Sequence, residues 1–274
     1  FRIGMRCNFS IGTEPLSRFG FDVKSKDFQT TLQRLRALPN GRIIGLHCHF
    51  LAPERSAQAY ADIGQRMITL AQTEFADEPL EFIDLGGGFF SPMSPDLQKQ
   101  FPYPIPTFAE YGQAIAHVFK TAFPDENGPE LILEPGISLT ADTMKFITKV
   151  IDLKTTGERP IALVAGSRHD INPTLSPRNL PISIASAPSG QASKHRFDIV
   201  GSTCMENDCL HKAYQGELKA GDYLIFNNVG AYTNVLRPPF INPAAPILSR
   251  SAAGNIEVLR RRETTDDIFS TYTF

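Results

Sequence analysis

Three short segments place chemically capable residues directly after apolar, strand-like runs. His47 and His49 end the run RIIGLHCH, residues 86–88 are three glycines that follow FIDL, and Glu134 ends ELILE. In α/β proteins with parallel sheets, the loops at the strand ends hold phosphates and reacting groups. The sequence therefore predicts a binding or catalytic site built from these strand ends.

Gly86, Gly87 and Gly88 indicate a phosphate site. Without a Cβ atom the backbone approaches an anion closely and points its N–H groups at it. A plain tight turn is the alternative. Glu134 opens a Glu-Pro-Gly sequence, and its carboxylate could pair with a charged ligand or simply cap the strand before a turn.

His47 and His49 permit two different chemistries. Side chains two residues apart on a strand share one face, so both imidazoles could bind zinc, as in zinc-dependent barrel hydrolases. Such a site needs ligands from other strand ends, and the other histidines lie on a predicted helix or in later, β-rich sequence. We therefore predict no metal. A single histidine lying flat against a ring, or one satisfied in the core, is the better interpretation.

A later loop groups a thiol with two carboxylates. Cys204, Glu206 and Asp208 follow Gly-Ser-Thr, and Tyr232 follows an apolar strand and an Asn-Asn pair. On these residues alone, the first segment is explained as a polar loop with a buried cysteine. Tyr232 is explained as a tyrosine whose ring packs in the protein and whose hydroxyl contacts solvent.

Hydrophobic periodicity predicts the elements that position these residues. Apolar residues at helical spacing predict helices over residues 26–38, 56–73 and from the Thr107–Glu110 capping box onward, and short apolar runs predict strands over residues 1–8, 42–49, 81–85 and 130–134. Strands that alternate with helices in this way indicate βα units around a parallel sheet, about half of an eight-stranded barrel.

Beyond residue 144 the pattern changes to short, β-branched runs separated by turn residues, without a good amphipathic helix. We therefore predict an α/β fold with two domains. The C-terminal half of a (β/α)8 barrel covers residues 1–143, and a β-rich domain covers residues 144–274. The chain opens on Phe-Arg-Ile without an initiator methionine, and we expect it to be part of a longer chain.

Composition excludes several classes of function. Among 274 residues, 27 Lys+Arg balance 29 Asp+Glu, and this net charge of −2 argues against a nucleic-acid binder. No run approaches the ~18 apolar residues of a membrane span. Four cysteines without a signal peptide fit reduced thiols, and hence a cytoplasmic location, better than a disulfide framework.

In chain order, these segments resemble the alanine-racemase-fold pyridoxal-phosphate decarboxylases, the ornithine, diaminopimelate and arginine decarboxylase group (group IV). The matching pieces are Ser17-Arg-Phe-Gly20, Gly45-Leu-His-Cys-His49, Asp84-Leu-Gly-Gly-Gly-Phe89, Glu134-Pro-Gly136, the loop over residues 204–208, Gly221-Asp222 and Gly230-Ala-Tyr232. The resemblance implies an alanine-racemase-like fold, pyridoxal 5'-phosphate as cofactor, decarboxylation of an amino acid, and a homodimer with active sites at the interface.

The resemblance also implies roles for individual residues. Residues 86–88 would bind the phosphate through backbone N–H groups, Glu134 would keep the pyridine nitrogen protonated, and His49 would stack on the ring. Tyr232 matches the tyrosine of the cofactor pocket. Cys204 matches the cysteine that controls protonation after decarboxylation in the partner subunit's site. The family's Schiff-base lysine precedes the Ser-Arg-Phe-Gly segment, so no lysine of this chain takes that role.

Three departures from the family pattern bear on the substrate. Residues 50–52 replace the small residues and serine after the stacking histidine, Ile137 replaces the arginine after Glu-Pro-Gly, and Met205 replaces the acid that grips the substrate's distal amine. This argues against diaminopimelate or ornithine and predicts a non-standard substrate. Substitute substrate contacts could come from Arg168, Arg178, Glu206 and Asp208.

The leading prediction is therefore a pyridoxal-phosphate-dependent amino-acid decarboxylase. The departures motivate a second interpretation, a catalytically silent homologue that acts as a binding or regulatory protein. A racemase on the same fold is a third, against which the Cys204 loop argues. The zinc hydrolase is a remote fourth.

Overall fold

A computed structural model describes residues 1–11, 15–50, 55–125 and 127–273 of the chain. The described chain forms two compact units, Phe1–Ala141 and Asp142–Phe274. The replacement predicted at residues 50–52 falls largely outside the described residues, because only Phe50 is among them.

The first unit is built from βα elements around one parallel sheet. Its strands are β1 (Arg2–Asn8), β2 (Phe21–Asp22), β3 (Arg42–His47), β4 (Phe82–Asp84) and β5 (Glu130–Ile132). Its helices are α1 (Lys26–Arg36), α2 (Ala57–Glu74), α3 (Pro95–Gln98), α4 (Phe108–Ala122) and α5 (Ile137–Thr140), followed by a 3-10 turn at Ala141–Thr143. The sheet order is β2-β1-β3-β4-β5, and every neighbouring pair is parallel.

Side-chain caps fix where the long helices of the first unit begin. The hydroxyls of Ser25 and Ser56 accept hydrogen bonds from backbone N–H groups in the first turns of α1 and α2. Thr107 and Glu110 form the predicted capping box at α4, which is confirmed in full. Helix α1 ends before Leu38, which is exposed, so the predicted boundary at residue 38 is two residues too long.

The helices bury one face each against the sheet. Residues at helical spacing are buried on α1 (Phe28, Leu32), α2 (Tyr60, Ile63, Met67) and α4 (Tyr111, Ile115, Phe119). They pack on strand residues such as Leu46 and Ile83, which are fully buried. Phe108, which the periodicity places on the same face of α4, is instead half-exposed at the first position of the helix.

The second unit is β-rich, as the sequence predicts. Its strands are β6 (Phe146–Thr156), β7 (Arg159–Val164), β8 (Ile182–Ala185), β9 (Ser193–Val200), β10 (Cys209–Leu218), β11 (Tyr223–Phe226), β12 (Ile247–Arg250) and β13 (Ile256–Arg260). Its short helices are α6 (Thr233–Leu236) and α7 (Thr265–Phe269), with a 3-10 turn at Arg168–Asp170. Six strands form one sheet in the order β10-β9-β7-β6-β11-β8, and β12 pairs with β13.

The six-stranded sheet of the second unit is mixed. Strands β7 and β9 are parallel, and the other pairs within it are antiparallel. Its core contains Val164, Phe197, Ile199, Leu224 and Phe226, each at most 2% exposed. Among the described residues, no helix is long and apolar enough to cross a membrane.

Candidate active site

The carboxyl ends of three neighbouring parallel strands gather the predicted site residues of the first unit. The register of β3 against β4 sets His47 beside Asp84, and β5 follows on the other side of β4. Because parallel strands end at the same edge of a sheet, His49 and Glu134 follow at that edge. Glu134 Oε2 lies 3.5 Å from His49 Nδ1 and 3.8 Å from His47 Nε2.

Within this cluster, Asp84 is buried and His47 is partly buried. Burial raises the pKa of Asp84, the Glu134 carboxylate raises it further, and the Gly86 N–H works against this shift. Burial also lowers the pKa of His47 in spite of the two carboxylates beside it. His47 Nε2 is buried and has no hydrogen-bond partner in the described part of the chain. Burial therefore favours the neutral form of the His47 imidazole and the protonated form of the Asp84 carboxyl beside it.

These residues also bear on the metal alternative. Ligand atoms of His47, Asp84 and Glu134 lie within 4.8 Å of one another. The spacing along the sequence pairs His47 with His49 and offers no further ligands, whereas the structure supplies two carboxylates from neighbouring strand ends. His49 Nδ1 is instead engaged as an acceptor by the N–H of Gly87, at 3.0 Å. The remote alternative of a zinc site on His47 and His49 is therefore not what the strand ends form, since the structure groups His47 with Asp84 and Glu134.

The glycine loop, residues 86–88, requires glycine for reasons of space and conformation. Gly86 and Gly88 have positive φ angles of 68° and 95°, which residues with a Cβ atom rarely adopt. A Cβ atom on Gly87 would lie 2.1 Å from the backbone oxygen of Glu134. The glycine loop therefore lies in close contact with the backbone of Glu134. A ligand with a ring nitrogen and a phosphate could contact the Glu134 carboxylate and the glycine loop together.

The hydrogen bonds of this loop bear on the expected phosphate role, which stays a prediction. The family pattern assigns all three glycine N–H groups to a phosphate, but two of them are occupied within the protein. Gly86 donates to Asp84 Oδ1 at 2.8 Å, and Gly87 donates to His49 Nδ1 at 3.0 Å. Only the N–H of Gly88 has no acceptor in the part of the chain that the structure describes.

His49 and Glu134 fit the ring of pyridoxal phosphate. The bond from Gly87 makes Nδ1 of His49 an acceptor, which places the proton of the neutral imidazole on Nε2. Glu134 offers a half-exposed carboxylate within 4 Å of that ring. A protonated pyridine nitrogen requires an acceptor, which the Glu134 carboxylate can provide, and a flat group such as the His49 imidazole suits the face of the ring.

In the second unit, residues 201–208 form the loop that the sequence pattern singles out. Asp208 is 4% exposed, and its carboxylate accepts bonds from the hydroxyl groups of Ser167 and Thr203 and from two backbone N–H groups, those of Arg168 and Thr203. Both oxygens are therefore occupied, and Asp208 organises the loop. The expected burial of the thiol is wrong, because Cys204 is exposed.

The remaining predicted residues lie on this loop or on others of the second unit. Glu206 is exposed on the Cys204 loop. Arg178 is half-buried between the 3-10 turn and β8, and Tyr232 is 55% exposed between β11 and α6. Arg168, a further candidate, donates to the carbonyl of Ser176. Contacts of these side chains with a substrate or cofactor stay predictions.

Two residues beside the glycine loop are not marked as site residues by the sequence. Periodicity places Tyr60 only on the apolar face of α2, yet its hydroxyl donates to the Gly87 carbonyl at 2.8 Å. Arg55 donates to the Gly88 carbonyl at 3.0 Å. A tyrosine on a buried helix face is a usable signal, because its hydroxyl must find a partner.

Comparison with known proteins identifies the family. Residues 28–230 match the family described as pyridoxal-dependent decarboxylase, C-terminal sheet domain. The chain belongs to this family. The predicted resemblance is confirmed, and the cofactor of the family is pyridoxal phosphate.

Named relatives agree with this assignment. A diaminopimelate decarboxylase of Haemophilus influenzae is 26% identical over 91% of this chain and 58% of its own length. One of Methanothermobacter thermautotrophicus is 28% identical over 82% of this chain and 52% of its length. An L-glutamyl-[BtrI acyl-carrier protein] decarboxylase of Niallia circulans is 26% identical over 93% and 60%. The chain thus spans between half and three fifths of the length of these relatives.

Solved structures confirm the predicted fold. Diaminopimelate decarboxylase of Helicobacter pylori, in complex with L-lysine, superposes with a TM-score of 0.79 at 22% identity, over 98% of this chain and 66% of that one. The AQ1208 protein of Aquifex aeolicus gives a TM-score of 0.79 at 24% identity, over 98% and 62%. The α/β fold with a β-rich second part is therefore that of the alanine-racemase-like decarboxylases.

Proposed function

We propose that this chain provides the ring-binding strand ends and the proton-transfer cysteine of a pyridoxal-phosphate-dependent amino-acid decarboxylase. The observation that carries the proposal is the 3.5 Å approach of Glu134 Oε2 to His49 Nδ1 beside the glycine loop. When bound, pyridoxal phosphate supplies an electron sink for the pair of electrons left at the substrate Cα as CO2 departs.

Each residue has a distinct task in this proposal. Glu134 holds the proton on the ring nitrogen, because an anion next to that nitrogen favours its charged form. His49, neutral and fixed by Gly87, lies flat against the ring. Cys204, which has an exposed thiol, delivers a proton to the substrate Cα after CO2 has left. As the family resemblance implies, it would do so in the site of the partner subunit of a homodimer.

We further propose a substrate without a distal ammonium group. Met205 stands where the family pattern has the acid that holds this ammonium, and a thioether offers a cation no such partner. One relative is named for a glutamyl group, whose side chain ends in a carbonyl or carboxylate rather than an amine. Glu206 and Arg178 are the candidates for new contacts. The four free thiols favour a cytoplasmic location.

The experiment combines spectroscopy with CO2 release. The full-length gene product is mixed with pyridoxal phosphate and freed of unbound cofactor, and its visible absorption is recorded before and after borohydride. CO2 release is then measured from diaminopimelate, ornithine, lysine, glutamate and a glutamyl thioester. We expect a visible band and release from a substrate without a distal ammonium. Absence of any band from a folded protein would overturn the proposal in favour of a silent binding homologue.

A variant pair sharpens the assignment of substrate. Met205→Glu restores the acid of the family pattern, and we expect it to increase CO2 release from ornithine or diaminopimelate relative to the unchanged protein. Met205→Leu is the matched control, since it alters the side chain without adding charge. Equal release by both variants would contradict the role given to this position. Efficient release from diaminopimelate by the unchanged protein would contradict the proposed substrate class.

A further inference from the structure

All three carbonyl groups of the glycine loop are held by donors from other parts of the first unit. Gly86 O accepts from the backbone N–H of Glu134 at 2.9 Å. Gly87 O accepts from the hydroxyl of Tyr60 at 2.8 Å, and Gly88 O accepts from Nη1 of Arg55 at 3.0 Å. Three successive peptide planes are therefore fixed by hydrogen bonds.

Fixing a carbonyl also fixes the N–H group that follows it. None of the described peptide bonds is cis, and in a planar trans peptide the C=O and the next N–H point in opposite directions. The first plane of the loop shows this directly. Gly86 O faces the N–H of Glu134, two residues beyond the end of β5, and the N–H of Gly87 reaches His49 instead.

The next two planes follow the same rule. Tyr60 holds the carbonyl of Gly87, so the N–H of Gly88 points away from Tyr60. Arg55 holds the carbonyl of Gly88, so the N–H of Phe89 points away from Arg55. Within the described residues, neither N–H has an acceptor, and Phe89 is only 5% exposed. Two successive donors without partners in a buried loop are the arrangement that binds an anion.

Tyr60 and Arg55 are themselves firmly held. Tyr60 is 4% exposed and stacks on the ring of Phe89, with 4.3 Å between ring centroids. Burial raises the pKa of the Tyr60 hydroxyl, so it stays a donor. The guanidinium of Arg55 lies 5.2 Å from the centroid of Phe90, and the Arg55 carbonyl accepts from the hydroxyl of Tyr111 at 2.5 Å. Both donors are therefore rigid supports of the loop.

We propose that Tyr60 and Arg55 are positioning residues that turn the N–H groups of Gly88 and Phe89 toward the phosphate of pyridoxal phosphate. The identity of the anion rests on the proposed function.

The test compares two probes that differ only in the phosphate. Pyridoxal phosphate and pyridoxal are titrated into the full chain, and binding is followed by quenching of tyrosine fluorescence. Tyr60→Phe removes the hydroxyl alone, and Arg55→Met removes the guanidinium donors while keeping the apolar stem. We expect each change to lower the affinity for pyridoxal phosphate roughly five- to tenfold and the affinity for pyridoxal less than about twofold.

Two further variants separate positioning from a general structural role. Arg55→Lys retains a donor for the Gly88 carbonyl and should recover part of the lost affinity for pyridoxal phosphate. Tyr214→Phe changes a half-buried tyrosine of the second unit and should leave both affinities unchanged. Inorganic phosphate competes with pyridoxal phosphate for the same donors. Its affinity should fall in Tyr60→Phe by the same factor as the affinity for pyridoxal phosphate.

The outcomes distinguish this inference from the function on which it rests. Equal losses for both probes in Tyr60→Phe, or no loss for either, would overturn the positioning role while leaving cofactor binding intact. Failure of the unchanged protein to bind either probe would overturn the proposed function, and the positioning role with it. A selective loss of the phosphorylated probe, with recovery in Arg55→Lys, is the result that supports the inference.

Discussion

The glycine loop of the first unit and the Cys204 loop of the second are each organised by one buried aspartate. Asp84 accepts a single backbone N–H, that of Gly86, and otherwise faces Glu134 and His47. Asp208 accepts four donors from residues 167, 168 and 203 and faces no other carboxylate among its hydrogen-bond partners. The same side chain is therefore employed in two different ways.

The difference lies in where the negative charge is balanced. Four donors satisfy the charge of Asp208 locally, so this residue is a scaffold on which Cys204 and Glu206 are displayed. Asp84 has one donor and a carboxylate neighbour, and its charge is therefore coupled to that of Glu134. A buried aspartate can thus support a loop either with its charge satisfied locally, as in Asp208, or with its charge coupled to a neighbouring site residue, as in Asp84.

The largest effect is expected from removing the scaffold aspartate. Asp208→Ala leaves buried donors of Ser167, Arg168 and Thr203 without an acceptor. We expect a loss of about 3 kcal/mol or more in the free energy of unfolding. Urea denaturation of both proteins measures it, with Asp266→Asn as control because Asp266 is exposed. A loss below about 1 kcal/mol would contradict the scaffold role.

A smaller effect is expected from adding one methyl group to the glycine loop. In Gly87→Ala the new Cβ atom would lie 2.1 Å from the Glu134 carbonyl oxygen, so the loop or β5 must shift. We expect a destabilisation of about 1–3 kcal/mol, together with weaker binding of pyridoxal phosphate. Gly112→Ala is the matched control, since nothing lies within 4 Å of its added Cβ atom and alanine favours a helix. Equal free energies of unfolding for Gly87→Ala and Gly112→Ala would show that the glycine loop has room for a Cβ atom at position 87.

The sequence predicts features that depend on residues close together in the chain. The Thr107–Glu110 capping box needs only a spacing of three, and the strands that lead to His47 and Glu134 follow from short apolar runs, although β5 ends two residues before Glu134. The family pattern, with its glycines, Glu134 and Cys204, adds the fold and the cofactor. These parts of the fold and site follow from local spacing and family motifs alone.

Contacts between distant segments do not follow in this way. Gly87 and His49 are 38 residues apart, and the hydrogen bond between them depends on the exact height at which β3 and β4 end. That bond removes one N–H group from the expected phosphate site. Similarly, periodicity marks Tyr60 as a buried helix residue but cannot show which carbonyl its hydroxyl reaches. Packing, rather than local pattern, decides these partners.

The smallest effect is expected from making the same conservative change in both loops. Asp84→Asn keeps an acceptor for the Gly86 N–H and places an amide donor beside Glu134, so stability at neutral pH should change by less than about 1 kcal/mol. Asp208→Asn loses the acceptor that receives both donors of Thr203, and about 1–3 kcal/mol should be lost. Urea denaturation of the two variants tests the contrast. Equal losses would remove the distinction between the two aspartates.

The pH dependence of stability sharpens this last comparison. Because the pKa of Asp84 is raised in the folded state, the folded chain binds its proton more tightly than the unfolded chain. Its stabilising contribution is therefore complete below the ordinary aspartate pKa of about 4 and is lost as pH rises through the raised value. The lowered pKa of His47 acts in the opposite direction, since stability increases as pH rises toward its ordinary value.

The measurement is the unfolding free energy of the unchanged protein minus that of Asp84→Asn, taken at each pH from about 4 to about 7. This difference reports the contribution of the Asp84 carboxyl to stability. The charge of Arg6, which also acts on His47, is present in both proteins. The contribution of His47 cancels only in part, because the Asp84 carboxylate itself raises the pKa of His47, so the subtraction is repeated with His47→Gln in both proteins. We expect this difference in unfolding free energy to decline as the pH rises. A difference that instead increases with pH would mean that the folded state favours ionised Asp84 and would contradict the raised pKa.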